Sequence, residues 1–214
     1  MKKIKELLKP FISIIFGAIL FLFYFNWLGT AGAPLALGII AVILSVYFLV
    51  VGILNVILGD KLGKAKGILN MAGVATYPIF LGVYFLLNLI SQAQADAYLG
   101  PNGWTIALVS IAASFGLGVL LFIAYFLKNK GIHRVTFLFA AIFVLVLLVD
   151  VLITDGFPIS LGQIIVLQVV LYGAYVFMLF EVLASFKERK ETKKEEEPKE
   201  EKPAEEPKEE AKAE

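Results

Sequence analysis

The chain has no cysteine, a single histidine and only six acidic side chains in its first 186 residues. Lacking cysteine, it can form neither disulfides nor a thiol nucleophile. One histidine, His133, falls in a basic turn and reads as a turn residue rather than a catalyst. No G-x-S-x-G, H-E-x-x-H or phosphate-loop pattern occurs. Hydrolysis or phosphoryl transfer needs an activated nucleophile, a base or a metal held by several ligands. None is visible, so the expectation is a protein that is not an enzyme and takes no cofactor, catalytic metal or nucleic acid. A third absence concerns basic residues. The stretches 29–33, 91–102 and 153–158 contain no lysine or arginine.

What is present is apolar. Hydrophobic residues make up 59% of the 214, with 18 Phe and a mean hydropathy of +0.85. A soluble domain of this size cannot hide that much apolar surface. A bilayer core needs about 20 apolar helical residues per crossing. Six runs meet this length, near 11–28, 34–58, 67–90, 103–127, 132–152 and 159–186.

All 19 basic residues fall on one side of these spans. Lys2, Lys3, Lys5 and Lys9 precede the first, Lys61, Lys64 and Lys66 separate the second and third, and Lys128, Lys130 and Arg134 separate the fourth and fifth. The rest follow the sixth. The positive-inside rule makes that side cytoplasmic, with both termini inside. The opposite connections carry Asp96 and Asp155, and Trp27 and Trp104 sit at the same ends, where indole favours the headgroup level. The expected location is the plasma membrane, and the first partner is the lipid bilayer. A cleavable signal ending at Ala31-Gly-Ala33 is the competing reading of the N-terminus. Retention is expected, because the apolar run is about 18 residues long and cleavage would leave Pro34 as the first residue.

The segment "KAKGI" at Lys64–Ile68 returns as "KNKGI" at Lys128–Ile132, 64 residues later. Each even-numbered span follows a proline, Pro34, Pro101 or Pro158, a residue suited to the first helical turn. Pro34-Leu-Ala-Leu-Gly38 also matches Pro158-Ile-Ser-Leu-Gly162. The expected fold is therefore all-α: a six-transmembrane-helix bundle of three tandem helical hairpins. Residues 1–10 form a basic cytoplasmic N-terminus and 187–214 a disordered charged tail.

Three hairpins with basic inner turns, and an outer proline before a Gly- and Ile-rich returning helix, resemble the HdeD-like small bacterial membrane proteins. Pro34, Gly38, Gly52, Pro101, Pro158 and Gly162 carry the resemblance over residues 10–186. The charged tail and the absence of glycine from span five depart from it. The resemblance implies the hairpin fold and a role in acid-stress resistance.

Polar groups inside the spans are where function is sought, since lipid makes them costly. Asp150 and Glu181 fall near span ends and read as interface residues. Gln168 is expected near the middle of span six, with an interhelical hydrogen bond as its ordinary use. Pro78, in Ala75-Thr76-Tyr77-Pro78, should kink span three and free the carbonyl of residue 74. Thr76, Pro78 and Gln168 are thus the candidate intramembrane polar site. Ser110, Ser114 and Gly118 line one face of span four and allow a close helix approach.

The tail lacks aromatic and branched aliphatic residues and is expected to be disordered. Its first part, to Lys194, is basic and suited to anionic lipid, while its remainder is acidic. It reads as a solubilising spacer, or as a tether for a basic cytoplasmic protein partner. The leading functional expectation is a scaffold or stress-response membrane factor. The alternative is a small transporter or channel component for a neutral or apolar solute.

Overall fold

The computed structural model describes the backbone of residues 2–28, 35–94, 103–127, 129–153 and 161–196, with side chains within 11–24, 35–59, 61–91, 103–127, 129–152 and 166–186. Pro34, Asp96, Tyr98, Pro101, Asp155, Pro158 and the tail beyond Glu196 lie outside these residues, as do the side chains of Trp27 and Gln163. The described chain holds six helices and no strand: α1 Lys2–Leu28, α2 Leu35–Leu58, α3 Lys64–Gln94, α4 Gly103–Phe126, α5 Lys130–Ile153 and α6 Leu161–Glu196. Five of them, α2 to α6, are long and apolar enough to cross a membrane, and α1 adds the shorter apolar stretch Phe11–Tyr24.

The odd-numbered helices begin at Lys2, Lys64 and Lys130, in three lysine-bearing stretches. Between α2 and α3 a single 3-10 turn, Gly59–Leu62, is bracketed by Gly59 and Gly63, both at φ 49°. A Cβ at either glycine would meet nothing within 4 Å. The left-handed backbone, not crowding, calls for glycine there.

α6 runs ten residues past its expected boundary at Phe186. Apart from Thr192, Lys187–Glu196 is built from Lys, Glu and Arg, good helix formers even where no core rewards them.

The most extensive packing is between α1 and α2 and between α3 and α4. On α1 and α2, Gly17 faces Ser45 and Leu49, Gly52 faces Ser13 and Ile14, and Ser13 Oγ donates to the Phe48 carbonyl at 3.0 Å. A Cβ on Gly17 would lie 2.8 Å from the Ser45 carbonyl oxygen. On α3 and α4, Gly82 faces Phe115 and Gly118 faces Ala75 and Ile79. Ser110 and Ser114 are buried beside Gly118, each hydroxyl turned back to the carbonyl four residues earlier. α5 rests more heavily on α4 than on α6. Its Phe139 ring covers Gly116, next to the small-residue face.

The core is aromatic at its centre. Phe16 of α1 meets Phe48 of α2 at 4.6 Å and Tyr77 of α3 at 5.0 Å, and Tyr77 meets Tyr175 of α6 at 4.8 Å. Phe143 of α5 closes on Tyr175 at 5.7 Å. Such ring pairs are worth about 0.5–1.5 kcal/mol beyond their buried area. The exterior is apolar as well, with Leu152 83% and Ile57 70% exposed. Polar side chains, by contrast, are gathered inside: Ser13, Ser45, Asn55, Ser110, Ser114, Thr136 and Gln168 are all buried.

Two glycines test the packing. Gly118→Ala would set its Cβ 2.8 Å from the Ala75 carbonyl oxygen, forcing α3 and α4 apart, whereas Gly173→Ala on α6 meets nothing. The expected outcome is a loss of about 1–3 kcal/mol for Gly118→Ala. No loss is expected for Gly173→Ala, both measured by denaturant titration of helicity in detergent.

Candidate functional site

α6 buries one stripe: Gln168, Leu171, Tyr175, Leu179, Val182 and Phe186. These residues follow one another at steps of three or four, the spacing that keeps a seam against neighbouring helices. Tyr172 stands one turn after Gln168 on the same side. Opposite them, three residues before the end of α5, is Asp150.

Gln168 Nε2 donates to Asp150 Oδ2 at 2.8 Å, and the Tyr172 hydroxyl donates to the same oxygen. Gln168 Nε2 also lies 3.3 Å from the Tyr172 oxygen. The three side chains form a closed triangle across the α5–α6 seam. The hydroxyls of Tyr24 on α1 and of Tyr77 and Tyr84 on α3 lie within electrostatic reach of the Asp150 carboxyl group. Tyr84 in turn hydrogen-bonds Asn88, one turn further along α3. The Asp150 carboxyl group is thus bonded across the seam by two side chains of α6. Chemically the set offers one acidic oxygen pair, several phenolic oxygens that both donate and accept, and one amide.

Asp150 stands near the end of α5, where the sequence places it. It is half-buried and turned onto α6. Gln168 does make an interhelical hydrogen bond, but two turns from the start of α6 rather than near its middle. The expected span was longer than a bilayer needs, so its midpoint shifted with the choice of first residue. Glu181, half-exposed, lies toward the basic end of α6, and His133 sits in the first turn of α5 with its ring 5.2 Å from that of Phe186.

The structure does not gather Thr76, Pro78 and Gln168 around one point. Thr76 is exposed and its hydroxyl bonds the Ala72 carbonyl at 2.7 Å, on its own helix. Pro78 is buried within α3 and deprives the Val74 carbonyl of its helical donor. Tyr175 supplies the replacement: its hydroxyl donates to Val74 O at 2.9 Å, fully buried. Pro78 thus acts through a cross-helix bond from α6, as freed carbonyls in membrane helices are commonly met. Sequence reasoning named neither Tyr172 nor Tyr175, although both share the α6 face that carries Gln168.

At the other end of α2 and α3, Asn55 Nδ2 donates to Asn70 Oδ1 at 2.9 Å and the Tyr47 hydroxyl to the Leu69 carbonyl at 2.8 Å. Among the described residues no group of three His, Cys, Asp or Glu side chains is placed to hold a metal ion.

Compared with protein-family models, with curated proteins and with solved structures, the chain matches none.

Tyr175→Phe is expected to cost about 1–3 kcal/mol, because the Val74 carbonyl loses its buried donor. In a Pro78→Ala background residue 78 regains an N–H for that carbonyl, and the same change should cost less. A double-mutant cycle on detergent unfolding reads the difference as a coupling between the two positions.

Proposed function

We propose that the chain is a six-span plasma-membrane protein of three tandem hairpins, both ends cytoplasmic, acting as a small transporter or channel component. The observation that carries this reading is Asp150, an ionisable group within the bundle whose oxygen is held by Gln168 and Tyr172 of the neighbouring helix. Ionisable side chains inside membrane bundles are expensive and mark solute or ion pathways. The site lies toward the outer end of the spans and is built across the α5–α6 seam, where packing is sparser than between α1 and α2 or α3 and α4. A seam with fewer contacts opens at lower cost than a dense one. The apolar exterior of the helices supports insertion into lipid, and the one-sided placement of the 19 basic residues supports the orientation.

A second reading, scaffold or stress-response factor, rests on the tail. Its 9 basic and 12 acidic residues are ordered from basic to acidic, which suits a cytoplasmic tether. The likeness to the HdeD-like proteins adds a stress context to either reading.

The chain has no native cysteine, so each introduced one is unique. Asp96→Cys should react with a membrane-impermeant maleimide on intact cells, and Lys61→Cys only after permeabilisation. The reverse pattern would invert the topology. For transport, proteoliposomes are challenged with a panel of small neutral and charged solutes. At least one solute should enter faster than into protein-free vesicles, with the excess rate falling about tenfold in Asp150→Asn or Gln168→Leu, the size of a lost charge-assisted hydrogen bond. Rates equal to protein-free vesicles for every solute would remove the transport reading and leave the scaffold.

A further inference from the structure

The charged end of α6 begins beside the basic turns. Phe186, last of the buried stripe, has its ring 5.2 Å from the His133 ring in the first turn of α5 and 6.3 Å from the Tyr125 ring near the end of α4. The start of α3 is at the same end. Contacts run in opposite order on α3 and α4, with Ala75 at Gly118 and Gly82 at Phe115. They do so again on α5 and α6, with Asp150 at Gln168, Phe143 at Tyr175 and His133 at Phe186. Tyr175 bonds Val74, and both Lys64 and Phe186 lie about 15–17 Å from that bond at helical rise. At this end Lys61, Lys64, Lys130 and Arg134 are exposed. Asn129 Oδ1 accepts from the Gly131 N–H at 2.7 Å and pins the start of α5.

The tail is duplicated as the turns are. Glu196-Glu-Pro-Lys-Glu-Glu201 returns as Glu205-Glu-Pro-Lys-Glu-Glu210, each copy with four glutamates and one lysine. Each turn has three bases, Lys61, Lys64 and Lys66 in one and Lys128, Lys130 and Arg134 in the other, with Asp60 the one acid among them. We infer that the tail docks on the basic end of its own chain, one E-E-P-K-E-E copy to each turn. Glu196 is about 15 Å along the helix from Phe186, and residues 197–214 can span about 60 Å, so both copies reach the turns. Single exposed ion pairs are weak, but a second linked site is engaged at high effective concentration. Anionic lipid would suit the lysines and repel the acidic copies, leaving the repeat without a partner. Lys187–Lys194 is nearer, but Glu188 and Glu191 are set among its bases. This docking depends on where the helix ends lie and not on transport, so either can fail alone.

The test is a spin-label distance in the full-length protein, between Ala65→Cys and Ala204→Cys. Ala65 is exposed between Lys64 and Lys66, and Ala204 stands between the two acidic copies. Pulsed EPR in neutral detergent is recorded at about 0.1 M and about 1 M sodium chloride, where charges act over about 10 Å and about 3 Å. The distribution should be narrow at low salt, and broader and longer at high salt. Lys61→Gln, Lys64→Gln, Lys130→Gln and Arg134→Gln together should give the high-salt distribution throughout. So should Glu→Gln at every glutamate of the two copies, a change that leaves the bundle untouched. Lys190→Gln with Lys193→Gln and Lys194→Gln should leave the narrow distribution in place. A broad distribution indifferent to salt and to these changes would overturn the docking. Loss only in the Lys190, Lys193 and Lys194 variant would put the tail on its own helix, and a short distance between singly labelled chains would put it on another copy. Either result overturns the assignment to these turns. In phosphatidylcholine nanodiscs, loss of the narrow distribution on adding phosphatidylserine would make lipid the occupant instead, and its persistence supports the tail.

Discussion

The hydrogen bond from the Tyr175 hydroxyl to the Val74 carbonyl is the constraint on which the centre of the bundle depends. Pro78 opens that carbonyl, and in an apolar bundle the opening must be closed by protein. Closing it fixes α6 against α3 in both rotation and height. The Tyr175 ring is then placed between Phe16, Tyr77 and Phe143, so that four helices meet around one phenol. With the height of α6 settled, Gln168 and Tyr172 come level with Asp150 two and one turns away. The polar triangle and the aromatic core are two results of the same registration.

Close backbone approach supplies the rest. Gly17 and Gly52 between α1 and α2, and Gly82 and Gly118 between α3 and α4, leave no room for a Cβ without a shift. The serines on these seams turn their hydroxyls to helix carbonyls rather than to water. In a bilayer, where helices would gain little from hydrophobic exclusion, packing of this kind would carry their association. α5 lacks glycine beyond Gly131 and offers large side chains instead, which agrees with its looser fit to α6.

Helix positions were legible in the sequence because apolar runs of membrane length are bounded by lysines at one end. The expected 103–127 and 132–152 differ from Gly103–Phe126 and Lys130–Ile153 by at most two residues. The face of Ser110, Ser114 and Gly118 was legible because it needs only the helical repeat. Pro78 was readable as an opened carbonyl, but its partner lies 101 residues away from Val74 and no local pattern points to it. Asp150 was legible as a residue near the end of its helix, but its hydrogen bonds to α6 depend on how α5 is rotated, which position along the helix does not give. One signal was available: Gln168 and Tyr172 stand one turn apart on the helix that follows Asp150. The Ser13 and Gly17 spacing on α1 likewise matched a small-residue seam and was not used.

The stripe on α6 has a consequence for how such a chain can change over time. From Gln168 to Phe186 every inward side chain is tied to its register by steps of three and four. One residue inserted between Tyr172 and Tyr175 would turn Gln168 and Tyr172 by about 100° relative to the rest, away from Asp150. One inserted after Phe186 would touch none of these contacts. Length variation is thus excluded between Gln168 and Phe186 and allowed after Phe186, where the composition turns from apolar to charged. One helix carries two rules: a stretch fixed in length because it must keep its register, and a stretch whose length nothing in the bundle counts.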